Sequence, residues 1–136
     1  MKKIFVNGTF DILHQGHVKL LEYAKSLGDY VLVAIDSDQR VRAIKGEQRP
    51  INSEQERKTL LLALRYVDEV SIFDSDQELI DLIKEYQLDI MVKGSDYIDK
   101  PIIGEEFCPD IKFFDLLNDY STTKKIQDII ARGYLH

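Results

Sequence analysis

The sequence predicts an α/β fold, a single domain over residues 1–136 built on a doubly wound, Rossmann-like five-stranded parallel sheet. Short apolar, β-rich runs alternate with stretches of helical spacing along the chain. One of these runs, YVLVAID at 30–36, is apolar almost throughout, as a central parallel strand covered on both faces should be. Glycine or a capping residue stands at the end of several helical stretches.

The elements follow in order. Residues 3–7 (KIFVN) read as the first strand. A helix over 16–27 spaces Val18, Leu20, Leu21, Ala24 and Leu27 on one face, and Gly28 stops it. After the strand at 30–36 comes a helix over 54–65. Ser53 opens it, with Glu56 three residues on, the pattern of a capping box. Residues 69–73 (EVSIF) form a strand, and 77–86 a helix that turns Leu79, Ile80, Leu82 and Ile83 inward. Strands follow at 89–93 (DIMVK) and 111–115 (IKFFD), then a helix over 122–132 with Ile126, Ile129 and Ile130 on one face. Segments 44–52 and 94–110 read as irregular loops. Crossovers in such a sheet are right-handed. Ligands bind beyond the carboxyl ends of its strands, near the switch in strand order. Site residues are therefore expected at 7–17, 36–50, 73–76, 93–99 and 116–123.

Composition narrows the function classes. Hydrophobic residues make up 44% of the chain, enough for a core, and charged residues 31%. No window of about 18 apolar residues exists, so no membrane partner is expected. The start, Met1-Lys2-Lys3, leads directly into a strand and lacks the cleavage site of a signal peptide. The single cysteine, Cys108, excludes an intrachain disulfide and a multi-cysteine zinc site, so a reducing cytoplasm is the expected location. A net charge of −6 argues against nucleic acid as a partner. Within that acidic chain Arg40, Arg42, Lys45 and Arg49, set against Glu47, form a basic island. Such an island suits a small anionic ligand; a solvated loop is the plainer reading.

The first βα turn, NGTFDILHQGH at 7–17, holds two of the chain's three histidines. Gly8 lets the chain turn tightly or approach a ligand. The helix begins near Gly16, with His17 in its first turn and His14 just ahead. A helix start offers unpaired N–H groups and positive partial charge. Imidazoles placed there can donate hydrogen bonds to phosphate oxygens. Neither G-x-G-x-x-G nor a Walker A loop is present. Two other readings stand beside the phosphate site. His14 can be a packed loop residue with His17 a helix cap, or the pair can ligate a metal. The metal reading needs a third ligand that no neighbouring Glu or Cys supplies.

GTFDILHQGH resembles the G-x-F-D-x-x-H-x-G-H signature of the cytidylyltransferase-like nucleotidyltransferases. KGEQRPINSEQER (45–57) is similar to that family's lysine loop and the Arg-Pro segment ending in arginine, and YSTTKKI (120–126) to its Ser-Thr-Thr helix start. The three motifs occur in the family's order and span nearly the whole chain. RPIN (49–52), VKGSDY (92–97), IIGEE (102–106) and YSTT resemble most closely the adenylyltransferase domain of ADP-heptose synthases. Leu116 stands where the glycerol-3-phosphate cytidylyltransferases usually carry arginine. Asn118-Asp119 replaces the Glu-Gly usual in the heptose branch, and no fused sugar-kinase domain is present in the sequence.

The resemblance implies attack by a sugar or polyol phosphate on the α-phosphorus of a nucleoside triphosphate, with Mg²⁺ as cofactor and a homodimer as the usual assembly. It favours ATP and a heptose 1-phosphate. The alternatives are CTP with glycerol 3-phosphate, or a nucleotide-binding domain without catalysis. By the same resemblance His14, His17, Lys45 and Arg57 are catalytic, with Lys45 reaching the phosphates from a mobile loop and Arg57 clamping the β- and γ-phosphates. Gly8, Thr9, Phe10, Gly16, Lys93, Gly94, Asp96, Tyr120, Ser121, Thr122 and Thr123 are expected to hold the nucleotide. Ser121 is expected to cap the last helix. Asp11 and Arg49 are expected to serve the acceptor or the loops around it.

Overall fold

The computed structural model describes residues 1–115 and 122–133. Five strands lie parallel: β1 (Lys3–Gly8), β2 (Tyr30–Asp36), β3 (Glu69–Phe73), β4 (Ile90–Gly94) and β5 (Asp110–Phe114). Their order across the sheet is β3-β2-β1-β4-β5. The chain thus winds outward from β1 in one direction, then returns to its other side, and the switch falls between β1 and β4. Val6 lies level with Val33 on one side and Val92 on the other.

Strand periodicity divides the core. Ile4 and Val6 point to one face and Phe5 to the other, and the same alternation runs through Val31, Leu32, Val33, Ala34 and Ile35. The first face is covered by α1 (Gln15–Ser26), through Leu20, Leu21 and Ala24, and by α3 (Glu54–Leu62), through Leu61. The second is covered by α4 (Asp76–Tyr86), through Leu79 and Ile83, and by Ile102 and Cys108 from the segment before β5. That segment is less irregular than expected. It carries short 3₁₀ turns at Ser95–Tyr97 and Glu105–Phe107. Gly104 sits between the two turns at φ 81°, where a Cβ would lie 2.4 Å from Ile83 Cδ1. Only glycine meets both demands.

Three aspartates close the amino-terminal edge of the sheet. Asp29, Asp68 and Asp89 each precede a strand, and their carboxylates accept the backbone N–H of Lys2 (2.7 Å), Val31 (2.8 Å) and Lys3 (2.8 Å) on the neighbouring strand. β4 begins at Ile90, one residue later than expected. The opposite, carboxyl edge is left for loops and helix starts.

One helix was not expected. Residues Asp38–Lys45 form α2, capped by the Ser37 hydroxyl, which accepts from Arg40 N–H. It buries only Val41, so its apolar pattern is too thin to read. Gly46 ends it at φ 104°, in the left-handed region. The basic island is therefore mostly a helix face and not a loop. The helix expected over 54–65 stops at Leu62, where Ala63 N–H turns back to Thr59, Leu60 and Leu61 carbonyls. The last helix, α5 (Thr122–Ala131), starts where expected. Among the described residues no helix is long and apolar enough to cross a membrane.

Candidate active site

A cavity of about 510 Å³ opens at the carboxyl ends of β1, β2 and β4. Gly8, Thr9, Phe10, Asp11, His14 and His17 line it from the first βα turn. Lys45 and Arg49 reach it from α2 and the loop beyond, and Lys93, Gly94 and Asp96 from the end of β4. Thr122 and Thr123 reach it from the start of α5. Residues separated by more than a hundred positions thus share one wall, because a parallel sheet brings every strand's carboxyl end to the same edge.

The histidines are held by the backbone. His14 is the N-cap of α1, and its Nδ1 accepts Gly16 N–H at 3.1 Å. His17, in the first turn, accepts His14 N–H on its own Nδ1 at 3.3 Å. The helix-cap reading and the functional reading are therefore compatible. The rings stack with centroids 3.7 Å apart and an interplanar angle of 24°, and the Phe10 ring lies 5.0 Å from His17. A ring nitrogen that accepts from an N–H carries a lone pair, so the proton of each neutral imidazole resides on Nε2. Burial lowers the pKa of His14, with help from Lys125. Burial, His14 and Lys45 lower that of His17 to about 3. Both rings are thus neutral Nε2–H donors at pH 7. The same geometry disfavours metal ligation, because an Nε2 lone pair would require a proton on Nδ1, facing an N–H. Among the described residues no group of three His, Cys, Asp or Glu could hold a metal ion.

The turn itself is strained. Phe10 (φ 54°) and Ile12 (φ 47°) adopt left-handed backbone, at a cost of about 1–3 kcal/mol each. Gly8 accommodates the Phe10 ring, whose Cε2 would lie 3.1 Å from a Cβ. Asp11, between the two strained residues, is 1% exposed. Its carboxylate accepts Ile51 N–H at 2.7 Å and Asn52 N–H at 2.8 Å, with Arg49 Nε at 3.6 Å. Thr122 Oγ1 donates to the Asp11 carbonyl. Asp11 therefore joins three segments across the cavity wall.

Arg57, expected as a clamp on the β- and γ-phosphates, has a fully buried side chain. Nε donates to the Asn52 carbonyl, Nη1 to the carbonyls of Thr9 (2.9 Å) and Asp36 (2.8 Å), and Nη2 to Asp38 (2.9 Å). The guanidinium stands behind the cavity and does not line it. Its donors hold the ends of β1 and β2 and the start of α3 in place. Gly16 likewise supports the site from the backbone, through its N–H to His14.

Lys93 lies at the end of β4 with Nζ 4.8 Å from the Tyr97 ring. Burial lowers its pKa to about 8 against the pull of Asp36 and Asp96. Tyr120 and Ser121, with the expected helix cap, lie outside the described residues.

Sequence reading missed the far end of the cavity. Asp36 ends β2, where its carboxylate accepts from Thr9 Oγ1 at 3.1 Å and Arg40 Nε at 2.9 Å. Arg40 also reaches Asp76 at 2.7 Å and lies over the Phe73 ring at 5.0 Å. For Asp36 the available signal was position alone, inside the window expected after the second strand, while Arg40 stood out only as a member of the basic island.

Comparison with known proteins agrees with this architecture. A family model described as cytidylyltransferase-like matches residues 5–129. The bifunctional protein HldE of Campylobacter fetus is 45% identical over 126 residues, covering 93% of this chain and 27% of that protein. The bifunctional protein HldE of Sulfurimonas denitrificans is 47% identical over 135 residues, 99% of this chain and 28% of that protein. The chain thus spans little more than a quarter of the curated relatives it matches. Among solved structures, a lipopolysaccharide core biosynthesis protein from Thermoplasma volcanium superposes with a TM-score of 0.71 at 26% identity, over 86% of this chain and 99% of that one.

Proposed function

The chain belongs to the cytidylyltransferase-like family, and on that premise we propose that it is a nucleotidyltransferase acting on a nucleoside triphosphate and a sugar phosphate. An oxygen of the acceptor phosphate attacks the α-phosphorus. A new oxygen–phosphorus bond forms, the bond from the α-phosphorus to the bridging oxygen breaks, and pyrophosphate leaves. ATP and a heptose 1-phosphate are the favoured pair, on the motif resemblance. The proposed assembly is a homodimer in the cytoplasm.

The observation that carries this reading is the stacked, backbone-held pair His14 and His17 at the start of α1. The attacking phosphate is already an anion, so no strong base is needed, and neutral imidazoles suit the task. Their Nε2–H groups donate to the α-phosphate and steady the charge that develops there. Lys45 and Arg49 bring positive charge to the same cavity. Gly8, Thr9 and Phe10, with Lys93, Gly94, Asp96, Tyr120, Ser121, Thr122 and Thr123, hold the nucleotide. Asp11 and Arg57 keep these segments in register. Mg²⁺, held mainly by substrate phosphate oxygens, neutralises the triphosphate and the departing pyrophosphate.

The test is direct. The protein is incubated with Mg²⁺, each nucleoside triphosphate in turn and a panel of sugar and polyol phosphates, and pyrophosphate is measured. Release that needs both substrates is expected. Nucleotide binding with no release for any pair would replace the enzyme by a binding domain, and CTP with glycerol 3-phosphate as the best pair would reassign the substrates.

A further inference from the structure

Lys93 stands where a charged lysine is poorly served. It follows Val92, which lies level with Val6 of β1, the strand that runs into the histidine turn. Strand alternation turns its side chain, with that of Met91, to the sheet face that Ile102 covers. Tyr97, Pro101, Ile102 and Ile103, from the segment after β4, line the same cavity. Lys93 Nζ lies over the Tyr97 ring at 4.8 Å, and among the described residues it donates no hydrogen bond. The charged groups around it are Asp36, at the end of β2, and Asp96, in the 3₁₀ turn, while Lys100 shares the Tyr97 ring at 5.6 Å. Desolvation outweighs the pull of the two carboxylates, and the pKa falls to about 8. About one-tenth of such amines are neutral at pH 7, against fewer than about one in a thousand for an exposed lysine. A neutral, poorly hydrated lysine amine is a nucleophile.

The same cavity carries donors for a phosphate: the Nε2–H groups of His14 and His17, with Lys45 and Arg49. We propose that Lys93 is a modification site, acylated by acyl phosphates that bind in this cavity. The donors hold the phosphate, and the carbonyl carbon is presented to Lys93 Nζ. The amine lone pair attacks that carbon. A nitrogen–carbon bond forms, the bond from the acyl carbon to the phosphate oxygen breaks, inorganic phosphate leaves with the electron pair, and the amine releases a proton to solvent. The choice of electrophile follows from the donors. An aldehyde would form a Schiff base and expel water, to which phosphate donors contribute nothing. An acyl phosphate releases negative charge onto the group that His14, His17, Lys45 and Arg49 stabilise. Lys45 is the other amine in the cavity, and burial and the neighbouring Arg49 lower its pKa as well. It belongs to the donors that hold the leaving phosphate, whereas Lys93 comes from β4. Acylation deletes the charge of Lys93 and weakens the nucleotide site that it serves. The inference rests on the phosphate-binding half of the proposed function and is independent of the transfer reaction.

The whole chain is incubated at pH 7 with acetyl phosphate, and acetylation of each lysine is followed by peptide mass spectrometry. A parallel sample receives acetic anhydride, an acetyl donor without phosphate. Lys93 should react with acetyl phosphate at least about tenfold faster than the exposed Lys2, Lys19 and Lys112. That ratio should be at least about fivefold larger with acetyl phosphate than with the anhydride. Arg49→Gln should lower the rate at Lys93 with acetyl phosphate and leave the rate with the anhydride unchanged. No lead for Lys93 with acetyl phosphate overturns the proposal. An equal lead with the anhydride shows a reactive amine without phosphate guidance and overturns it too, as does faster acetylation of Lys45. Selective acetylation with no pyrophosphate release from any substrate pair would overturn the transfer reaction and leave the modification site standing. Pyrophosphate release without selective acetylation would do the reverse.

Discussion

His14 and His17 each present Nδ1 to a backbone N–H, and this contact defines their chemistry. It fixes the tautomer, aims the rings and, with burial, keeps them uncharged. His14→Ala or His17→Ala should lower kcat by about 100-fold or more, with nucleotide affinity changed far less. Steady-state kinetics beside calorimetry would check this, and wild-type turnover in both variants would sink the assignment. A pH effect follows for His17. Its folded pKa of about 3 lies below the ordinary 6.5, so the unfolded chain binds the proton first as pH falls. The folded state therefore loses stability between about pH 6.5 and 3, while above 6.5 His17 contributes no slope. His17→Gln should flatten the fall in Tm across that window relative to wild type, and an unchanged slope in denaturation scans would refute it.

The elements meet through polar ties that cross between them. Asp11 binds the first turn to the segment before α3, and Thr122 binds α5 to the same turn. Arg57, from α3, holds the carbonyls that end β1 and β2. Removing it strands three carbonyls and the partner carboxylate Asp38. Arg57→Met should cost about 3 kcal/mol or more of stability, read as a shift of the denaturant midpoint. A variant of full stability with weakened triphosphate binding would instead return Arg57 to the phosphates. The role of Arg57 was not legible in the sequence. An arginine at this place in a motif reads as a ligand, and only the burial of its donors shows that they are spent on the chain itself. The histidine turn was more legible, because a strand, a glycine and a helix start in succession are local events.

At the scale of the molecule, the sheet supplies one finished edge and one open edge. Aspartates close the amino-terminal side, and the carboxyl side carries the cavity. A nucleotide that bridges β1, β4 and α5 should stabilise the whole fold by mass action, by about 2.7 kcal/mol at a hundredfold excess over Kd. ATP with Mg²⁺ should raise Tm more than CTP at equal concentration, as measured by differential scanning calorimetry. A larger shift with CTP would reverse the base preference.

The sequence by itself determined the alternation of strands and helices, the parallel sheet and the place of the histidine turn. These are encoded by periodicity, caps and glycines acting over a few residues. It did not reveal α2, whose single buried side chain, Val41, leaves almost no apolar period. Only the tertiary structure decided what faces the ligand. Arg57 withdrew behind the wall, Asp11 became a tie between loops, and Asp36 and Arg40 came forward at the far end of the cavity. The physical reason is that a side chain's role depends on where its hydrogen bonds go. In this fold those partners lie tens of residues away, brought together by the order of the strands.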